Sequence, residues 1–300
     1  MKKKYVFLGD LDSINIELVS KSHNFLKNKV KYILIGNKIE LLNYLEKIKS
    51  NLKINLLTDP FDFSTCNKNY LNLFNIDNIG KSNFDNIINQ IKFSNFLSNR
   101  TKIDLVTLPI NKYSIKKKMD FTGMTEHLGK LNKKKTIMLM HGEVFSIIPF
   151  TTHINPKNIH KYIKANILNS FFKNLLYQLD RKIYRLNFKT IKFLCYNPHC
   201  GEDELLGVED GLIKKTISKF KVITGPYSAD SAFIKNNSKT LFISSYHDQA
   251  LIPFKILNKK SFNLTLGLEY RRLSPAHGTA TDIKFKDKSN NDSYLECMLF

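Results

Sequence analysis

The sequence predicts an α/β protein built on a mainly parallel sheet. Three observations carry that expectation: short apolar runs rich in β-branched and aromatic residues, longer stretches of helical period between them, and glycines that close the first two runs. At 300 residues and 42% hydrophobic composition the chain can bury a full core and exceeds the usual single domain, so two compact domains are expected.

Residues 5–8 and 32–35 read as the first strands, closed by Gly9 and Gly36. Between 41 and 48, Leu41, Leu42, Leu45 and Ile48 fall on one helical face. Further strands are expected at 103–107, 145–150, 191–195, 222–224 and 241–244, and helices at 159–179 and 211–220. The Asn-rich stretch 67–95 shows no clear period. No internal repeat, Pro-rich linker or low-complexity tail marks a domain boundary, which topology must therefore set.

The formal charge of +21 raises the question of a nucleic-acid partner. Its make-up argues against one. Only Arg100, Arg181, Arg185, Arg271 and Arg272 are arginines, and the lysines are spread along the chain with abundant Asn and Ile, the pattern of an AT-rich coding bias. Lysine runs at 116–118 and 133–135 read as solvated surface. No apolar run of about 18 residues occurs, and the opening MKKKYVFLGD lacks a signal-peptide core, so a soluble cytoplasmic protein with no membrane partner is expected. Cys66, Cys195, Cys200 and Cys297 lack paired spacing and read as free thiols.

Chemistry gathers where three strands end. One runs into His153 (TTH), one into His199 (NPH) and one into His247 (YHD). Ligands of open α/β sheets bind beyond the carboxyl ends of strands, and imidazoles that leave coordination positions open suit a catalytic metal. Spacing alone leaves open whether the three share one ion. His23, His141 and His160 read as surface or satisfied-core residues. No GxGxxG follows a strand, so no Rossmann site is expected.

The segments TLPINK (107–112), FTGMTEHL (121–128), TTHINP (151–156), YNPHCGED (196–203), GPYSADSAF (225–233), YHDQALIPFK (246–255), NLTLGL (263–268) and RLSPAHGTATDI (272–283) occur in that order. Together they resemble the 4-hydroxythreonine-4-phosphate dehydrogenase family over most of the chain. The resemblance implies two αβα domains with a cleft between them, like isocitrate and isopropylmalate dehydrogenases, here 1–125 with 255–300 and 126–254. It also implies a homodimer that oxidises a phosphorylated hydroxy acid with NAD or NADP and a divalent metal (Zn, Co, Mn or Mg), the 3-keto acid then losing carbon dioxide on the way to pyridoxal phosphate. His153, His199 and His247 are the implied metal ligands, with His247 crossing from one subunit to His153 and His199 of the other. Thr125, Lys255, Asn263 and Arg272 are the implied substrate contacts. Asp248 and Lys255 are the implied catalytic groups, Asp248 orienting a histidine or relaying a proton. His277, Gly278, Thr279 and, less directly, Asp282 are the implied cofactor contacts.

The chain departs from the family pattern in four places. Of a Gly/Pro-rich turn near the N-terminus it keeps Gly9, Asp10, Ile14 and Glu17, so that loop is expected to take a different backbone. Met124 replaces a substrate-binding histidine, with His127 nearby as a substitute. Ala276 replaces an aspartate, and the last helix ends at Phe300. Three readings stay open: the vitamin B6 pathway dehydrogenase, a paralogue acting on another phosphorylated hydroxy acid such as a tetronate phosphate, and a catalytically degenerate metal-binding dimer.

Overall fold

The computed structural model describes residues 1–77, 82–111, 115–116, 119–234 and 237–300. Lys112, Lys117 and Lys118 lie outside the described residues; Lys116 and the 133–135 run are exposed. The chain divides into two compact units, Met1–Thr136 with Phe262–Phe300, and Ile137–Ser261.

The chain opens with β1 (Lys2–Phe7), α1 (Asn15–Leu26), β2 (Val30–Gly36), α2 (Lys38–Lys47), β3 (Ile54–Leu57), β4 (Leu71–Asn75), α3 (Asn83–Thr101), β5 (Asp104–Thr107) and α4 (Met124–Leu131). Next come β6 (Ile137–Gly142), β7 (Ser146–Pro149), α5 (Ala165–Asp180), β8 (Thr190–Leu194), α6 (Glu209–Ile217), β9 (Ile223–Tyr227), β10 (Thr240–Ser244) and α7 (His247–Leu257). The chain closes with β11 (Ser261–Leu266), β12 (Arg272–Pro275) and α8 (Asp292–Leu299).

In the first unit the strand order is β3-β4-β2-β1-β5-β12-β11. β3, β4, β2, β1, β5 and β12 pair in parallel, and β11 pairs antiparallel with β12. Parallel neighbours need helical crossovers, which explains the near-continuous burial of β1 and β2. β1 begins at the N-terminal lysines, earlier than the apolar run indicates, because Lys4 is fully buried with its ammonium 2.9 Å from Asp104. The Asn-rich stretch contains β4 and the start of α3, whose Ser82 caps the Asp85 amide. On α3, Ile87, Ile88, Ile91 and Leu97 pack into one cluster with Tyr5, Phe7, Met124 and Leu128. That packing assigns α4 to the first unit, so the division falls after Thr136 rather than after 125. Lys255 correspondingly lies in the second unit rather than in the returning segment.

In the second unit the order is β6-β7-β10-β8-β9, parallel from β7 to β9 and antiparallel between β6 and β7. The stretch expected as one helix over 159–179 divides in two. Asn155 and Pro156 start a 3-10 segment (Pro156–Tyr162), and α5 follows it. Aromatic packing fills this core: Phe145 meets Phe242 edge-on at 5.2 Å and Phe172 meets Phe193 at 5.7 Å. Among the described residues no helix is long and apolar enough to cross a membrane. The four cysteines are free.

Candidate active site

The three histidines stand just beyond β7, β8 and β10 of the second unit. β7 and β10 are adjacent parallel strands, so the residues after them are neighbours, and the His153 and His247 rings lie 5.7 Å apart, centre to centre. His247 heads α7 with its Nδ1 2.7 Å from the Asp248 carboxylate, which leaves Nε2 as the outward donor atom. His199 stands apart from this pair. It sits in a turn of left-handed residues (φ 48°) with Nδ1 3.8 Å from Asp230, its side chain 62% exposed. The Ser228 hydroxyl, with a smaller contribution from His199, holds the Asp230 carboxyl below its ordinary range. Among the described residues of one chain, no three His, Cys, Asp or Glu side chains form a metal-holding group.

Residues that sequence reasoning passed over build this end of the sheet. The Tyr196 and Asn197 amides donate to the buried Asp210 at 2.7 and 2.9 Å, fixing the approach to His199. The Gln249 amide donates to the Cys195 carbonyl, and its carbonyl accepts from the Ser245 amide, both at 2.8 Å. Thr151 donates to the Ser245 carbonyl at 2.7 Å. Gln249 and Thr151 thus staple together the strand ends that present all three histidines. Gln249 stands inside the YHDQ segment, a signal that was present in the sequence without its meaning. Lys255 is exposed in the last turn of α7.

In the first unit a second polar cluster is buried rather than exposed. Arg272 is 4% exposed; its Nε donates to Thr107 at 2.8 Å and its Nη1 to Thr265 and Thr125 at 3.3 and 3.5 Å. Thr125 and Thr265 are themselves 3.2 Å apart. Period-two geometry creates the cluster: Thr265 pairs with Arg272 across β11 and β12, Asn263 lies two residues earlier on the same face, and Thr107 ends β5. Among the described residues the buried Asn263 Oδ1 meets no hydrogen-bond partner. Burial brings the Arg272 guanidinium down to about 10, so it stays charged at neutral pH. Among the described residues it makes no ion pair. Arg271, one residue earlier on the opposite face, grips Asp104 with two bonds of 2.8 and 2.5 Å.

Met124 is 8% exposed and packs in the apolar cluster with Phe121 and Leu128. His127 lies one helical turn from Met124, on the same side of α4, and is buried like it, its ring 5.2 Å from Phe121 and its pKa lowered by burial, then by Lys130 and Lys92.

The altered N-terminal loop is firmly built. Gly9 has φ +74°, where a Cβ would overlap the Pro109 carbonyl. Asn15 donates to the carbonyls of Leu8 and Pro109, each at 2.8 Å, and Asp10 accepts the Asp12 amide at 3.0 Å. The Ile14 amide donates to the Thr279 carbonyl at 3.1 Å, tying this loop to the 277–279 segment. There the His277 Nδ1 bonds the Gly278 carbonyl, and a Cβ on Gly278 would meet nothing within 4 Å. Neither packing nor positive φ demands glycine at 278, and its backbone faces open space. Asp282 is exposed on a short 3-10 turn.

The family model of pyridoxal phosphate biosynthetic protein PdxA matches residues 20–300. The chain is 34% identical to 4-hydroxythreonine-4-phosphate dehydrogenase of Campylobacter fetus subsp. fetus (strain 82-40), a match covering 100% of this chain and 97% of that one. To the enzyme of that name from Aquifex aeolicus (strain VF5) it is 31% identical, with 99% and 96% covered. The crystal structure of the Klebsiella pneumoniae 4-hydroxythreonine-4-phosphate dehydrogenase superimposes with a TM-score of 0.79 at 21% identity, covering 100% of this chain and 98% of that one, a likeness of fold. The ordered motifs, the fold and these relatives together place the chain in the pyridoxal phosphate biosynthetic protein PdxA family of oxidoreductases.

Proposed function

We propose that the chain oxidises 4-hydroxythreonine 4-phosphate with NAD or NADP and a divalent metal, giving a 3-keto acid that decarboxylates to 3-amino-2-oxopropyl phosphate. The observation that carries this reading is Arg272: a buried, charged guanidinium held, among the described residues, only by hydroxyls, in a chain of this family. A buried cation without a carboxylate partner is costly unless an anion completes it, and a phosphorylated hydroxy acid brings two anionic groups. The orphaned Asn263 Oδ1 supplies an acceptor for a substrate hydroxyl or amine on the same sheet face.

The donors fit a divalent ion. Three imidazoles on strand ends, one already oriented by a carboxylate, suit zinc, cobalt or manganese, and less readily magnesium. When bound, the metal supplies Lewis acidity at the substrate hydroxyl and the nicotinamide supplies the hydride acceptor. Asp248 holds the His247 ring in one tautomer, and Lys255 is the candidate proton carrier further along α7. Gly278 leaves open space at the 277–279 backbone for a cofactor to approach closely, with Asp282 a short way along the chain for ribose hydroxyls.

A homodimer completes this reading, as does a cytoplasmic location. Ile252 and Ile256, 60% and 73% exposed, lie on the helix that His247 heads, so a second copy covering them also meets that histidine. The test is an NADH assay with added divalent metal on wild type and on mixed dimers of His199→Ala with His247→Ala. Ligands shared between copies leave one intact site per mixed dimer and roughly half the activity by symmetry; a set confined to one chain leaves none. A wild-type enzyme that makes no NADH from this substrate, and does so from another phosphorylated hydroxy acid, shifts the assignment to a paralogue.

A further inference from the structure

We infer that Thr107 and Thr265 are positioning residues that keep the Arg272 guanidinium charged, aimed and unneutralised, so that it binds the anionic group of the substrate. This rests on the proposed function and goes beyond it by assigning the two residues that make Arg272 fit for that task.

The neighbouring arginine supplies the contrast. Arg271 meets Asp104 in a two-bond ion pair, with Lys4 on the same carboxylate, and its charge is spent inside the fold. Arg272 is buried to the same degree, 4% against 5% exposed, yet its partners are hydroxyl oxygens. A hydroxyl accepts a hydrogen bond and fixes the planar fork without cancelling its charge. Thr107 takes Nε, and Thr265 shares Nη1 with Thr125, so the guanidinium is gripped from β5 and from β11. Tyr270, Cys297 and, least, Glu126 contribute a favourable field at Arg272. Thr265 cannot swing away, because it is fully buried and lies opposite Arg272 in the strand register. Met124, drawn into the apolar cluster, brings no second cation to the face that Thr125 presents.

The variants Thr107→Val and Thr265→Val keep side-chain shape and remove the acceptor, while Thr107→Ser and Thr265→Ser keep it. Two readouts are needed: KM and kcat for the phosphorylated substrate, and calorimetric affinity for inorganic phosphate, which requires no turnover. Thr107→Val is expected to weaken both KM and phosphate affinity about tenfold, with kcat within about threefold, and Thr265→Val somewhat less because its bond is longer. The serine variants are expected to recover to within about threefold of wild type. A valine variant that lowers the melting temperature and leaves KM and phosphate affinity unchanged overturns the inference, since a merely structural hydroxyl acts that way. If Thr107→Val does not fold, the Thr265 pair decides alone. Wild-type turnover with unchanged values in both valine variants sinks only the inference; wild type that neither binds phosphate nor makes NADH sinks the functional reading with it.

Discussion

The two units present opposite kinds of polar site. Around Arg272 in the first unit every protein partner is buried and already in place within one chain. In the second unit His153 and His199 are exposed, His247 is partly so, and a single chain groups only two of the three. The difference follows from chemistry. A guanidinium buried among hydroxyls is oriented by folding itself, whereas the imidazoles stand at strand ends open to solvent, where the backbone is fixed and Asp248 orients the His247 ring. On the proposed reading, anion recognition is preorganised, and the metal set is left to be finished by the ion and by a second copy.

Variants can break this comparison. The largest effect is expected from His199→Ala, which should abolish tight metal binding and activity while leaving the melting temperature within a degree or so, because the ring is mostly exposed. Unchanged metal stoichiometry by elemental analysis would remove His199 from the ligand set. Arg272→Met should lower kcat/KM about a hundredfold or more, chiefly through KM, and leave metal affinity within about threefold. Equal loss of metal affinity would show that the two clusters are not separable. Gln249→Leu should weaken metal affinity about tenfold to a hundredfold by releasing the Cys195 and Ser245 strand ends, with phosphate affinity unchanged.

Asp104→Asn sharpens the contrast between the two arginines. It strands Arg271 and Lys4 in the core and should cost about 3 kcal/mol of stability by denaturant titration, while the KM of the folded fraction stays near wild type. The smallest effect concerns acid. Burial lowers the pKa of His23, His127 and His141, the last to about 4. The unfolded chain, with histidines near 6.5, then binds more protons, so stability should fall as pH drops below about 6.5 and keep falling toward 4 through His141. A denaturation midpoint that rises on acidification from pH 7 to 5 would contradict this.

Much of the frame was legible in the sequence because parallel strands and their helices leave period-two and 3.6 patterns, and the strand ends at His153, His199 and His247 follow from those runs. Boundaries were less so. β1 reaches back to lysine because Lys4 finds Asp104, a partner 100 residues away that no local window contains. The Arg272 cluster was visible only in part: Thr125, Asn263 and Arg272 came from motif resemblance, while Thr107 and Thr265 needed the strand register that brings β5, β12 and β11 together. Gln249 stood in plain view in YHDQ, but its bonds to Cys195 and Ser245 needed the strand ends brought together in space.

The most direct test is equilibrium binding of the phosphorylated substrate to metal-stripped protein by calorimetry, with and without Arg272→Met. A preassembled anion seat predicts that wild type still binds after chelation, weakened no more than about tenfold, and that the Met variant does not. Binding that vanishes with the metal yet survives in Arg272→Met would contradict it.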